Sequence, residues 1–298
     1  MVSPEGREYL RMLQETPAFG ETGFNLEELR AGMATRREPA DPAVQCQPVD
    51  IDGVPAEWVL APGADPDVRL LYLHGGGYVS GSGAFYLPLA AHLSAAAGCA
   101  VLLPDYRLAP EHPFPAGLED CLAVYQWLRA TGPAGPAAAK AIFVAGDSAG
   151  GGMTLAVLLA LRDRGLPLPQ GGIGLSPFTD LTLTGDSTRS EAGIDPIMAP
   201  QCLPDFVSRY IGDGDVRDPL ASPVFADHTG LPSLLIQVGQ HEIIRDDSTR
   251  VADKAREDGV DVTLEVWEGM FHVFQSHEPL LPEAREAVEH MAAFMRAL

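Results

Sequence analysis

"AIFVAGDSAGGGM" (141–153) is the stretch on which the reading of this chain turns. An apolar run ends in a small polar cluster and passes at once into glycines. A surface loop would be more polar, and a core strand would not tolerate so much glycine. Residues 146–150, "GDSAG", match the pattern G-x-S-x-G, with a strand-like run before (141–145) and a helix-like stretch after (about 149–164). That context predicts a sharp strand–turn–helix junction that lifts the Ser148 hydroxyl out of a sheet. Gly146 and Gly150 permit a turn too tight for side chains. The helix N-terminus beside the hydroxyl would favour developing negative charge. The blander alternative is a Gly-Ser turn without chemistry, and the flanking strand and helix count against it.

Outward from this junction, short apolar runs recur at 46–52, 56–60, 69–73, 99–103, 172–175, 233–238 and 262–267. Helix-like segments near 85–97, 116–130, 149–164, 246–257 and 282–297 separate most of them. Continuous apolar strands with crossover helices predict an α/β fold, a mostly parallel eight-stranded sheet flanked by helices. The first pair, 46–52 and 55–60, is joined at "DGVP" and reads as an antiparallel hairpin. Two helical pieces precede it: Ser3-Pro4 opens one, and Asn25 caps "NLEELRAGMATRRE". More than 50 residues rich in Pro, Gly and Asp separate "LSPF" (175–178) from the strand at 233, too many for a simple loop. The expected layout is therefore 1–40 as N-terminal cap helices, 41–180 and 226–298 as the catalytic domain, and 181–225 as a cap insertion.

The formal charge of −21 over 298 residues argues against a nucleic-acid partner or an anionic membrane surface. Cys46, Cys99, Cys121 and Cys202 lie far apart with no C-x-x-C pair, so structural zinc and a disulfide scaffold are not expected. The start, "MVSPEGREYLRMLQ", lacks the apolar core of a signal peptide, and no apolar stretch approaches 20 residues. The expectation is a cytoplasmic protein with reduced thiols.

A nucleophilic serine needs a base. The histidines after Ser148 are His228, His241, His272, His277 and His290; His228 falls in the insertion and His290 on an amphipathic helix. His272, in "EGMFHVF" just past the last strand, is the candidate, with His277 in reserve. The acid should follow the preceding strand, where "LLIQVGQHEIIRDDSTR" offers Glu242. Asp246 and Asp247 read more simply as caps of the next helix. For the oxyanion, "LLYLHGGGYVSGS" supplies glycines at a strand end, with no Gly-Lys-Ser/Thr to suggest a phosphate loop. Together these are the parts of acyl-transfer machinery.

The segments "HGGGY" (74–78), "DYRLAPEHPFPA" (105–116), "GDSAGG" (146–151), "SPFTDL" (176–181) and "DPLASP" (218–223) resemble the hormone-sensitive-lipase-like (family IV) branch of the α/β-hydrolases. The resemblance covers nearly the whole domain. It implies an α/β-hydrolase fold with a helical cap, a catalytic triad of Ser148, His272 and Glu242, and an oxyanion hole from the N–H groups of Gly76, Gly77 and Ala149. Tyr78 and Asp147 are expected at the substrate pocket, and Asp105 and Arg107 as braces of nearby loops. The common form has aspartate first in D-x-L-x-D. Here the stretch is "EIIRD", so Asp246 stays a rival acid. The implied activity is a serine carboxylesterase acting on short-chain acyl esters, with no metal and no cofactor. A lactonase or amidase could use the same triad. A binding-only receptor on this fold would be expected to lack the histidine. Members of the branch often form homodimers through the last strand and C-terminal helix, where "EVWEGMFHVF" and "AAFMR" lie, although those residues are more simply core.

Overall fold

The hairpin at the start of the sheet forms as its sequence directs. β1 (Gln45–Ile51) and β2 (Val54–Leu60) pair antiparallel, with Ile51 opposite Val54. Asp52 and Gly53 between them both take positive φ, 52° and 91°, as a two-residue hairpin turn requires. The computed structural model describes residues 2–15, 24–277 and 280–298. The remaining strands are β3 (Asp65–Leu73), β4 (Cys99–Pro104), β5 (Ala141–Asp147), β6 (Gly171–Leu175), β7 (Ser233–Gly239) and β8 (Val262–Trp267). Their order across the sheet is β1-β2-β4-β3-β5-β6-β7-β8. β2 is antiparallel to both its neighbours, and from β4 to β8 every pairing is parallel.

The helices are α1 (Pro4–Glu15), α2 (Leu26–Met33), α3 (Leu87–Ala97), α4 (Ala116–Ala130), α5 (Ala149–Asp163), α6 (Leu203–Ile211), α7 (Arg245–Glu257) and α8 (Pro282–Ala297), with shorter turns between. Alternation along β3 shows how they cover the sheet. Leu70 and Tyr72 pack with Leu87 and Leu93 of α3 and Val288 and Met291 of α8 on one face. Leu71 and Leu73 pack with Leu118 and Leu122 of α4 and Met153 and Val157 of α5 on the other. Each fully buried leucine contributes roughly 1.5–3 kcal/mol relative to exposure. Both faces are dry, which is why the central strands read as unbroken apolar runs. Among the described residues no helix is long and apolar enough to cross a membrane.

The N-terminal helices are tied down by specific bonds. Ser3 Oγ accepts from the Gly6 N–H and donates to Glu283 Oε2 at 3.0 Å, joining α1 to α8. Asn25 caps α2 through the N–H groups of Glu27 and Glu28. Arg30 then donates to the carbonyls of Val79 (2.7 Å) and Ala109 (2.8 Å) and pairs with Glu111. In the segment between β6 and β7, α6 buries Leu203, Phe206, Val207, Tyr210 and Ile211. Phe206 stacks on Phe24 with ring centroids 4.3 Å apart, so this segment and the N-terminal helices meet. They meet over the C-terminal ends of β3 and β5.

The expected helix starting at 246 begins one residue earlier. Asp246 and Asp247 therefore lie inside its first turn and do not cap it. Asp246 accepts from the Ser187 N–H, and Asp247 from the N–H groups of Thr179 and Asp180 at 2.8 Å each. They tie other loops to α7.

Candidate active site

β5 ends at Asp147, and Ser148 turns the chain into α5 with φ 52° and ψ −121°. A non-glycine residue in that region carries about 1–3 kcal/mol of strain. Bonds on both sides hold it: the Ser148 N–H donates to the Leu175 carbonyl (2.8 Å), and its carbonyl accepts from Gly152 (3.1 Å) and Phe178 (2.9 Å). Gly150 lets α5 start hard against β3, since a Cβ there would stand 2.0 Å from the Leu73 carbonyl oxygen.

His272 lies on the loop after β8 and Glu242 on the loop after β7. His272 Nδ1 and Glu242 Oε2 are 2.9 Å apart, and both side chains are buried. With Nδ1–H donating to the carboxylate, Nε2 is left as an acceptor. The other carboxylate oxygen, Oε1, accepts from the Gly239 N–H and, at 2.8 Å, from Ser176 Oγ. Ser176 Oγ itself accepts from the Val273 N–H at 3.1 Å. Burial works against the His272 imidazolium. The bond and charge of Glu242, with the charges of Asp195 and Asp147, outweigh it and raise the pKa above 6.5.

The loop after β3 carries the glycines. The His74 ring stacks on Tyr106 at 4.3 Å, and the Tyr106 hydroxyl donates to the His74 carbonyl. Gly76 has φ 119°, and its carbonyl accepts from Val79 and Ser80. Among the described residues, none of the N–H groups of Gly76, Gly77 and Ala149 donates to a protein acceptor.

A cavity of about 160 Å³ collects these parts. Ser148, His272, Gly76 and Gly77 line it, with Leu29 and Met33 from α2, Ile197, Met198 and Phe206 from the segment between β6 and β7, and Phe178. Asp147 lines it too, but its carboxylate is occupied by the Tyr72 and Tyr86 hydroxyls and the Gly75 N–H. Burial pushes its pKa up to about 6. Tyr78, expected at the pocket, is not among the lining residues: it stacks on Tyr210 at 3.7 Å and donates to the Phe178 carbonyl. Its φ is 65°, and its side chain is buried.

The rival residues go elsewhere. His228 bonds Asp258, His241 approaches Glu191 and His290 bonds Glu265. His277 does line the cavity, with Nδ1 held 2.8 Å from the Tyr9 hydroxyl, and burial lowers its pKa to about 4. Asp246 is engaged at Ser187. Asp105 accepts from the Gly83 N–H, and Arg107 pairs with Asp120. All four cysteines are free thiols, and among the described residues no group of three or more His, Cys, Asp or Glu could hold a metal. Two contributors lie outside the expected site residues. Asp195, which nothing local marks, accepts from the N–H groups of Ile197, Met198 and Ile243, and Ser176 belongs to the "SPFTDL" motif, which by itself assigns it no role.

This fold and this cavity define a class: the chain belongs to the α/β-hydrolase-fold family, whose model matches residues 70–276. It is 44% identical over 242 residues to an acetyl-hydrolase of Streptomyces hygroscopicus, covering 81% of this chain and 79% of that one. A solved esterase of the bacterial hormone-sensitive lipase family superposes with a TM-score of 0.90 at 41% identity, covering 100% of this chain and 99% of the other. The structure of EstE5 soaked with p-nitrophenyl butyrate gives 0.91 at 42% identity, covering 99% and 98%. The protein is a carboxylic ester hydrolase of the hormone-sensitive-lipase-like branch.

Proposed function

We propose that the protein is a serine carboxylesterase for short-chain acyl esters, working through a Ser148–His272–Glu242 triad and an acyl-enzyme. The observation that carries this reading is the 2.9 Å His272–Glu242 bond opening onto a cavity that Ser148 also lines. As Ser148 Oγ bonds to the ester carbonyl carbon, its proton passes to His272 Nε2. The carbonyl oxygen, now negative, is received by the N–H groups of Gly76, Gly77 and Ala149. The C–O bond to the alcohol then breaks, and His272 returns the proton to the leaving oxygen. Water repeats the sequence on the acyl-enzyme: His272 takes its proton, the acid is released, and Ser148 regains its hydrogen. Glu242 holds the tautomer and stabilises the imidazolium.

The apolar lining and small volume suit a short acyl chain and a compact alcohol. We read residues 1–40 and 181–225 as a cap over the hydrolase core, because both supply walls of the cavity. Replacing Ser148 by Ala tests the scheme. Hydrolysis of p-nitrophenyl butyrate should fall by roughly 10³-fold or more, and stoichiometric labelling by an organophosphonate should vanish. Wild-type turnover by that variant would end this reading.

A further inference from the structure

Ser176 is fully buried at the first position after β6, and its φ is 47°. Glycine is the residue that backbone favours, so a side chain kept there needs a reason. Its main chain is clamped, with the N–H donating to the Gln237 carbonyl of β7 at 2.7 Å. Its hydroxyl reaches two further loops, Glu242 Oε1 at 2.8 Å and the Val273 N–H at 3.1 Å. Chemistry fixes the direction of both bonds. An amide N–H can only donate to Oγ, so the single hydroxyl proton goes to the carboxylate. Val273 follows His272 directly and itself holds a positive φ of 53°.

We propose that Ser176 is a positioning residue: its hydroxyl fixes Glu242 with Oε2 toward His272 and holds the loop that carries His272. The proposal rests on the triad reading above. Ser176 and the Gly239 N–H saturate Oε1, which leaves Oε2 as the oxygen that meets the imidazole. Without the hydroxyl, the carboxylate can rotate about its last bond and the Val273 amide loses its acceptor. Ser176 is fully buried and does not line the cavity, so it acts through its neighbours.

The test uses the whole enzyme and p-nitrophenyl butyrate. Ser176→Gly removes the hydroxyl where the backbone welcomes glycine, and Ser176→Ala keeps the Cβ. Loss of one hydrogen bond to a charged group should lower kcat roughly 10- to 100-fold, with KM within about twofold, in both variants. A carboxylate held less firmly against His272 gives the imidazolium less support. The acid limb of kcat/KM should then move down by roughly half to one pH unit. The other charges facing His272, Asp195 and Asp147, are unchanged by either substitution. In a Glu242→Gln background, Ser176→Gly should cost less than about twofold more, as residues acting through one another are non-additive. An equal cost in both backgrounds, or wild-type kcat and pH profile in both single variants, would overturn the proposal. If Ser148→Ala is inactive while the Ser176 variants are normal, Ser176 alone is misread. If Ser148→Ala is active, the triad reading falls and Ser176 falls with it.

Discussion

Ser148, Ser176 and Val273 each take a positive φ, of 52°, 47° and 53°; Ser148 and Val273 line the cavity, and Ser176 is bonded to Val273. Backbone strain of this kind persists only where surrounding bonds overdetermine it. The imidazole of His272, next to Val273, carries a pH prediction. As the proposed base, His272 would act only when neutral, and its pKa lies above 6.5 because Glu242, Asp195 and Asp147 favour the charged ring. Activity should therefore rise with pH, and the acid limb of kcat/KM should have its midpoint above 6.5. A midpoint well below that in a kcat/KM profile would contradict the assignment. The glycine loop proposed to receive the oxyanion carries another. At Gly76, φ is 119° and a Cβ would stand 2.2 Å from the Ser80 carbonyl oxygen, so Gly76→Ala must displace the loop. Losing one oxyanion donor costs on the order of 10²–10³ in kcat, and steady-state kinetics should show a loss of that size.

Asp195 joins pieces of the chain that local sequence gives no reason to join. Oδ1 accepts from the N–H groups of Ile197 (2.9 Å) and Met198 (3.0 Å), two residues of the cavity wall. Oδ2 accepts from Ile243, the neighbour of Glu242, at 2.9 Å. One carboxylate thus sets the wall's position against the acid loop. Asp195→Ala would leave three donors without an acceptor, each worth roughly 1–3 kcal/mol when buried. Thermal unfolding should show a lower Tm, and steady-state kinetics a KM raised several-fold. Arg30 does the matching work for α2, anchoring to the carbonyls of Val79 and Ala109 while Leu29 and Met33 of the same helix line the cavity.

Folding takes several acids out of water, and this sets how stability depends on pH. Asp247 is fully buried, and burial raises its pKa from 3.8 to about 8 despite the Thr179 and Asp180 N–H groups. The native state therefore holds a proton that the unfolded chain releases between pH 4 and 8. Stability falls as pH rises through that window. Asp195 and Asp147, both raised to about 6 by burial, act in the same direction. Asp247→Asn keeps an oxygen for both N–H groups and removes the charge. Its Tm should match or slightly trail the parent at pH 5 and exceed it at pH 9, by on the order of 2–4 °C for each kcal/mol gained. Differential scanning calorimetry at the two pH values checks the sign. A constant difference would mean that folding does not raise the pKa of Asp247 and that it is ionised at both pH values.

Short-range physics made much of this legible in the chain itself. Strands dry on both faces must be apolar throughout, so the central strands could be located, and Asp52-Gly53 marked the hairpin. The tight turn at Ser148 admits so few residue types that 146–150 pointed to it directly, and the strand ends before Glu242 and His272 marked those loops. What the chain could not disclose depends on contacts between distant segments. Ser176 meets Val273 across 97 positions, and Asp195 meets Ile243 across 48. Asp246 and Asp247 look like caps until the fold presents them with the amides of other loops. Tyr78 looks like a pocket residue until Tyr210 arrives to stack on it. Hydrogen-bond partners and ring neighbours of this kind are fixed by packing, and no local pattern of residues encodes which distant group will be there.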